Sequence, residues 1–111
     1  MAVSYKVLGQ AKPAAATATT LYTVPTGASN YAVVSTLVVA NITGDGDEIR
    51  VAVRPAGASI ANQHYIVYDA ILNANDSITL TLGITLEATD VITVRGSNTS
   101  FAFQAFGSEI A

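Results

Sequence analysis

The stretch Tyr31–Asn41, YAVVSTLVVAN, decides the fold. It is a near-continuous run of β-branched and aliphatic residues, which lose rotamer freedom in a helix but pack well on a pleated sheet. A strand with one buried face should alternate apolar and polar residues, and here neither alternating set is clearly polar. The stretch therefore predicts a central strand that is covered on both faces. The two sets are Val33, Ser35, Leu37, Val39 and Ala32, Val34, Thr36, Val38, Ala40.

A second strand is predicted directly after the first. Residues 41–47, NITGDGD, are dense in turn formers, and residues 48–55 then alternate. Two strands joined by a Gly- and Asp-rich turn predict a β-hairpin. The two sides of the second strand are Ile49, Val51, Val53 and Arg50, Ala52, Arg54.

The rest of the chain repeats short strands with turn signals between them. About eight strands at this spacing indicate an all-β fold, an antiparallel β-sandwich of the jelly-roll kind. The 111 residues fit a single domain, 1–111. The other predicted strands cover residues 4–8, 21–24, 63–72, 77–86, 91–95 and 100–106.

Residues 9–20, GQAKPAAATATT, form a small-residue stretch in which Pro13 and the threonines oppose a helix. We predict an extended N-terminal arm here. Two interpretations stay open: the arm crosses onto a neighbouring subunit, or it lies over its own domain.

The composition favours a protein that forms oligomers over an enzyme. Only 12% of the residues are charged, against about 25% in ordinary domains. Such a surface is weakly protected against association, so we expect part of it to be buried in an oligomer. A net charge of −3 argues against a nucleic-acid partner, and no apolar run is long enough to span a membrane. The chain has no cysteine, hence neither disulfides nor thiolate metal sites.

Candidate catalytic and metal-binding residues are few, and each has a structural interpretation that we favour. His64 is the only histidine, and no serine lies in a nucleophile turn. The carboxylates of residues 44–48 resemble a calcium loop only in composition, since their spacing suits a hairpin turn. Asp69, Asp76 and Asp90 could supply a carboxylate pair for glycoside chemistry. Asp76 and Asp90, however, lie in turns just before strands, where a carboxylate commonly accepts backbone N–H bonds. We therefore expect no enzyme activity, no cofactor and no metal.

Arginine and tyrosine are the side chains that most favour a role in recognition. Arg50, Arg54 and Arg95 are expected to share a sheet surface. The tyrosines could stack on a carbohydrate, although packing in a core or an interface is the interpretation that their strand spacing favours. The predicted interface residues are Tyr31, Val34, Val38, Arg50, Arg54, Tyr65, Tyr68, Phe101, Phe103 and Phe106.

Several phrases of the sequence resemble a family of small virion proteins of tailed phages. They are LYTVP at 21–25, VVSTLVVAN at 33–41, RVAVRPAG at 50–57, the long stretch 64–94, and the closing FAFQAFGSEI. The half from residue 75 onward is also similar to trimeric jelly rolls of the tumour-necrosis-factor type, in which an L-x-x-x-D turn precedes a strand. Leu86 and Asp90 fit that turn, while Thr89 stands where the pattern usually has glycine.

This resemblance implies a structural subunit of the virion, made in the host cytoplasm. The expected role is an oligomeric, trimeric capsid decoration or cement protein whose partners are its own copies and the major capsid protein or other virion proteins. The alternative is a tail, collar or fibre-tip domain that binds a glycan or protein of the host surface.

Overall fold

The computed structural model describes residues 2–111 and contains eight strands in two antiparallel four-stranded sheets. The first sheet has the order β1-β8-β3-β6 and the second has the order β2-β7-β4-β5. The all-β sandwich predicted from the sequence is confirmed. The strands are β1 (Val3–Ala11), β2 (Thr19–Thr23), β3 (Tyr31–Asn41), β4 (Asp47–Arg54), β5 (Tyr65–Leu72), β6 (Ser77–Glu87), β7 (Val91–Gly96) and β8 (Phe101–Ile110).

The chain changes sheet at every connection except the one from β4 to β5. This alternation, with four strands in each sheet, is the topology of a jelly roll. Two 3₁₀ turns, Pro55–Gly57 and Asn62–His64, interrupt the β4–β5 connection. Residues 2–111 contain no helix of the length and apolarity needed to cross a bilayer.

The predicted hairpin between β3 and β4 is wrong, because the two strands lie in different sheets. β3 is central in the first sheet, as predicted, and pairs with β6 and β8. β4 pairs with β5 and β7 in the second sheet. The turn between β3 and β4 therefore crosses the edge of the sandwich. Its start is fixed by Asn41, whose side-chain amide donates to the carbonyls of Asp45 and Leu72 and accepts from the N–H of Thr43.

A β-bulge at Ser35 changes which side chains of β3 reach the core. The register with both neighbours shifts between Val34 and Thr36. Because a one-residue shift moves the following side chains to the opposite face, the fully buried residues come from both predicted sets. They are Ala32, Val34, Leu37 and Val39.

The core lies between the two sheets and is built from large aliphatic and aromatic side chains. The fully buried large residues are Phe101, Phe103, Leu37, Ile49, Leu72, Leu86, Ile92, Val24, Val34, Val39, Val51 and Val94.

The segment predicted as an arm, residues 9–20, consists of the end of β1, a connection and the start of β2. Its first three residues belong to β1 and its last two to β2. The connection between them is held on its own domain, since Pro13 is buried and Ala16 N–H donates to the carbonyl of Gly96 at 2.8 Å. Deleting residues 1–20 would therefore remove strand β1 and break into β2.

Candidate functional site

The outer face of the first sheet carries a grid of apolar side chains. Three rows cross β1, β8 and β3, as the strand register shows. Seven of the nine positions are apolar, and the exposed fraction is 85% for Tyr5 and 42% for Tyr31. We call these seven residues the apolar face. The rows are Val3–Ile110–Tyr31, Tyr5–Ser108–Val33 and Val7–Phe106–Thr36.

The apolar face is continuous and carries no charged side chain in its three rows. Single exposed apolar residues are ordinary on protein surfaces, whereas a contiguous patch marks an interaction surface. The next strand, β6, presents a polar border of exposed residues, in which Glu87 is the cross-strand partner of Tyr31. The border residues are Ser77, Thr79, Thr81, Thr85 and Glu87.

An ion pair lies at the edge of the sandwich, beside the apolar face. The Lys6 ammonium lies 2.5 Å from Oε1 of Glu109, and the buried Tyr22 of β2 donates its phenol hydrogen to Oε2. The hydrogen bonds from Lys6 and then Tyr22 lower the pKa of Glu109. Burial, followed by the bond to Glu109, raises the pKa of Tyr22. This contact connects the second sheet to the first at the edge of the sandwich.

The outer face of the second sheet has the opposite chemistry. Tyr68, Arg50 and Arg95 are cross-strand partners in one row over β5, β4 and β7. The guanidinium carbon of Arg50 lies 4.1 Å from the ring centroid of Tyr68 and 5.9 Å from that of Tyr65. The two rings meet edge to face with centroids 4.8 Å apart. Both contact types are attractive because the ring face is electron-rich.

Asp69 completes this group, which we call the arginine–tyrosine cluster: Arg50, Tyr65, Tyr68, Asp69 and Arg95. Nε of Arg50 donates to Oδ1 of Asp69 at 2.6 Å, and a terminal guanidinium nitrogen donates to Oδ2 at 3.2 Å. This two-pronged bond, together with the nearby positive charges of Arg50 and Arg95, lowers the pKa of the Asp69 carboxyl. The bond to Asp69 in turn raises the pKa of Arg50.

The backbone of Asp69 is strained. Its φ of 54° lies in the left-handed region, and the β4–β5 register shifts between Ile49 and Arg50 opposite this position. Bulges of this kind re-aim side chains and are frequent beside functional sites. Here the bulge accompanies a carboxylate that lies within hydrogen-bonding distance of the Arg50 guanidinium.

A shallow depression opens beside the tyrosines. It has a volume of about 400 Å³ and is lined by Asn62, Tyr65 and Tyr68. Tyr68 is 56% exposed, so much of its surface stays open to solvent although Arg50 covers part of it.

The ten predicted interface residues fall into three places. Val34, Phe101 and Phe103 are fully buried in the core, on the inward sides of β3 and β8. They hold the two sheets together and offer no outer surface. Tyr31, Val38 and Phe106 lie on the outer side of the first sheet, and Arg50, Arg54, Tyr65 and Tyr68 lie on that of the second.

Arg54 has a structural role in this arrangement. Its guanidinium donates to Oγ1 of Thr93 at 3.0 Å and to the carbonyl of Ala58 at 3.0 Å. It therefore fixes the β4–β5 connection on the sheet.

Sequence reasoning missed the contribution of β1 to the apolar face and that of Asp69 to the cluster. The alternation of Val3, Tyr5 and Val7 is visible in the sequence, but not which neighbours they meet. No sequence signal marks the left-handed backbone at Asp69.

The residues considered for catalysis have structural contacts. His64 Nδ1 accepts the N–H of Ala61 at 3.1 Å. Asp76 accepts the N–H of Ser77, and Asp90 accepts those of Ala56 and Glu87. The predicted N–H-accepting role of Asp76 and Asp90 is confirmed. Within residues 2–111 no three His, Asp or Glu side chains group together as metal ligands.

Comparisons with known proteins add little to this description. No protein-family model matches the chain, and no curated protein matches it. A chain in the structure of infectious bursal disease virus, Gx strain, aligns with 97% of this chain at 14% identity and a TM-score of 0.45. The alignment covers 30% of that viral chain, so the present chain spans less than a third of its length. A likeness at this level carries no argument about function.

Proposed function

We propose that this chain is a non-enzymatic structural protein of a tailed-phage virion, in which it forms a homotrimer that decorates and cements the capsid. The observation that carries the proposal is the apolar face. Seven apolar side chains without a charge among them lie exposed or half-exposed on one sheet of a chain in which only 12% of residues are charged. Burying such a surface between copies is favourable by about 25 cal/mol per Å².

The proposed mechanism is energetic. A protein that binds only the assembled lattice stabilises that lattice by mass action. The partners are further copies of the chain and the major capsid protein or another virion protein. Neither nucleic acid, membrane nor cofactor takes part.

The assembly is tested by the mass of the full chain in solution, from size-exclusion chromatography with light scattering. We expect three times the chain mass for the natural sequence and one chain mass for Tyr5→Asp, since a buried unpaired carboxylate would oppose association. Tyr68→Asp, on the opposite sheet, is the matched control and should stay trimeric. A monomeric natural chain, or equal loss of assembly in both variants, would contradict the proposal.

The virion location needs a separate test. Mass spectrometry of purified particles should detect the chain in a fixed ratio to the major capsid protein, and its absence from particles would refute this part. Particles lacking the chain should also break at lower temperature than complete ones.

A second candidate function is a tail, collar or fibre-tip domain that binds a host-surface glycan or protein. The arginine–tyrosine cluster favours it, because exposed tyrosine and arginine beside a depression are typical of recognition surfaces.

A further inference from the structure

The arginines of this chain are distributed unevenly. The sequence has five Lys and Arg residues, and its three arginines all lie on β4 and β7 of the second sheet. Arg50 is paired with Asp69, and Arg54 is held by Thr93 and Ala58. Arg95 makes no ion pair within residues 2–111, although its charge reaches Asp69. The cluster's own side chains are two cations and one carboxylate, and Glu48 lies two residues before Arg50 on the same side of β4.

The side chains of the cluster contact one another without any ligand. The two-pronged Arg50–Asp69 bond, the cation–π contact to Tyr68 and the edge-to-face Tyr65–Tyr68 pair hold these side chains against each other. A pre-organised site avoids the ordering cost of about 0.5–1.5 kcal/mol for each immobilised side chain. The depression of about 400 Å³ beside the tyrosines falls within the ordinary range of small-ligand sites.

From this geometry we infer that the arginine–tyrosine cluster binds an acidic saccharide, a sugar that carries a carboxylate or phosphate. The exposed ring of Tyr68 offers a surface for the C–H face of a sugar ring. Asn62 and the spare acceptor capacity of Asp69 suit its hydroxyls. Arg95 suits its anionic group, since the guanidinium fork matches carboxylate and phosphate oxygens.

This inference specifies the ligand class of the second candidate function and rests on it, but it is independent of the trimer. The cluster and the apolar face lie on opposite sheets. Saccharide binding and solution mass therefore report separately on the two proposals, and either one can fail while the other holds.

The test is an NMR titration of the full isotope-labelled chain with three probes. Trigalacturonic acid carries carboxylates, mannose 6-phosphate carries a phosphate, and maltotriose is neutral. We expect saturable shifts at residues 50, 62, 65, 68, 69 and 95 with at least one acidic probe, and binding of maltotriose at least about tenfold weaker, which corresponds to about 1.4 kcal/mol. The carboxylated and phosphorylated probes separate the two possible sources of the anionic group.

Variants locate the binding. Arg95→Gln should remove the preference for the acidic probe, and Tyr68→Ala should weaken binding by at least about tenfold. Tyr68→Phe keeps the ring and should bind like the natural chain. Thr79→Ala, an exposed position of β6 in the other sheet, is the control and should leave saccharide binding unchanged.

Three results would overturn the inference. They are no shifts with any probe at concentrations on the order of 10 mM, shifts that map away from the cluster, and equal affinity for acidic and neutral probes. Because Tyr68 and Arg95 are not in the core, unchanged spectra elsewhere will show that each variant still folds.

Discussion

The two outer faces of this sandwich differ in almost every physical respect, although their inner faces share one core. The apolar face has seven apolar residues in three rows and no charge among them. The arginine–tyrosine cluster holds two arginines and an aspartate within three strands. The core between the two sheets stabilises a jelly roll, so the residues of each outer face can serve a separate function. The apolar face suits permanent burial and the cluster suits reversible recognition.

The faces also differ in how their side chains are held. Those of the cluster hold one another through an ion pair, a cation–π contact and an aromatic pair. In the apolar face, Tyr5 and Val7 of the edge strand β1 are 85% and 48% exposed. Such a surface gains most from a partner that removes it from water. This difference leads to four predictions, given from the largest effect to the smallest.

Two phenylalanines on β8 give the sharpest contrast between core and outer face. Phe103 is fully buried, whereas Phe106 points outward between Val7 and Thr36. We expect Phe103→Ala to lower the free energy of unfolding by about 3–5 kcal/mol, through lost burial and a cavity. Phe106→Ala should cost the isolated chain about 1 kcal/mol but shift the proposed trimer toward monomers.

Urea unfolding at low concentration measures the first effect and light scattering the second. If Phe106→Ala lost as much stability as Phe103→Ala in the monomer, the outer face would be part of the core and the comparison would fail.

The sequence predicted the strands better than their partners. The β-branched run of β3 and the sharp alternation in β6 decide local structure, because side-chain fit to a pleated surface acts within a few residues. Pairing depends on long-range contacts, so the predicted β3–β4 hairpin failed. The core positions of Val34, Phe101 and Phe103 depend on which side of each strand faces the second sheet, which the partners decide. The composition of the cluster was visible in the predicted Arg and Tyr residues, but the pairing of Arg50 with a left-handed Asp69 was not.

The second prediction concerns the crossing that connects the two sheets. Asn41 is buried and makes three hydrogen bonds to the β3–β4 turn and the end of β5. Replacing it with alanine removes these bonds and leaves buried backbone groups unpaired, which should cost about 2–3 kcal/mol. Both outer faces should be affected equally, because the loss acts on the frame that they share.

Thermal and urea unfolding measure this cost. Asn30→Ala is the matched control, since Asn30 makes one side-chain bond, to the carbonyl of Thr26 at an exposed turn, and its loss should cost at most about 1 kcal/mol. An Asn41→Ala chain as stable as this control would show that the crossing needs no side-chain support.

The third prediction concerns the return from the first sheet to the second, between β6 and β7. Thr89 has a φ of 69°, which is costly for a β-branched residue by about 1–2 kcal/mol. Thr89→Gly should raise the free energy of unfolding by up to about 1 kcal/mol, because the flexibility of glycine in the unfolded chain offsets part of the relief. Thr81→Gly, in the middle of β6, should instead destabilise the chain. Equal destabilisation by both glycines would show that the turn carries no strain.

The fourth prediction, with the smallest expected effect, concerns how the arginine–tyrosine cluster responds to pH. The Asp69 pKa is lowered, chiefly by its bond to Arg50, so its ionised form stabilises the folded cluster. That contribution is present above the pKa of Asp in an unfolded chain, about 3.9, and is lost as the pH falls through the lower pKa of the folded state. The three rows of the apolar face contain no carboxylate, but Glu109 beside them, whose pKa is lowered by its bonds to Lys6 and Tyr22, also loses its charge on acidification. Acidification should release Tyr65 and Tyr68 from their fixed geometry, seen as a loss of near-ultraviolet circular dichroism. The variant Asp69→Asn isolates this effect from that of Glu109, and at neutral pH its solution mass should stay that of the proposed trimer. Asp69→Asn should show the weakened signal already at neutral pH and no further change from this site. If Asp69→Asn alone dissociated the proposed trimer at neutral pH, the charged cluster, and not the apolar face, would hold the copies together.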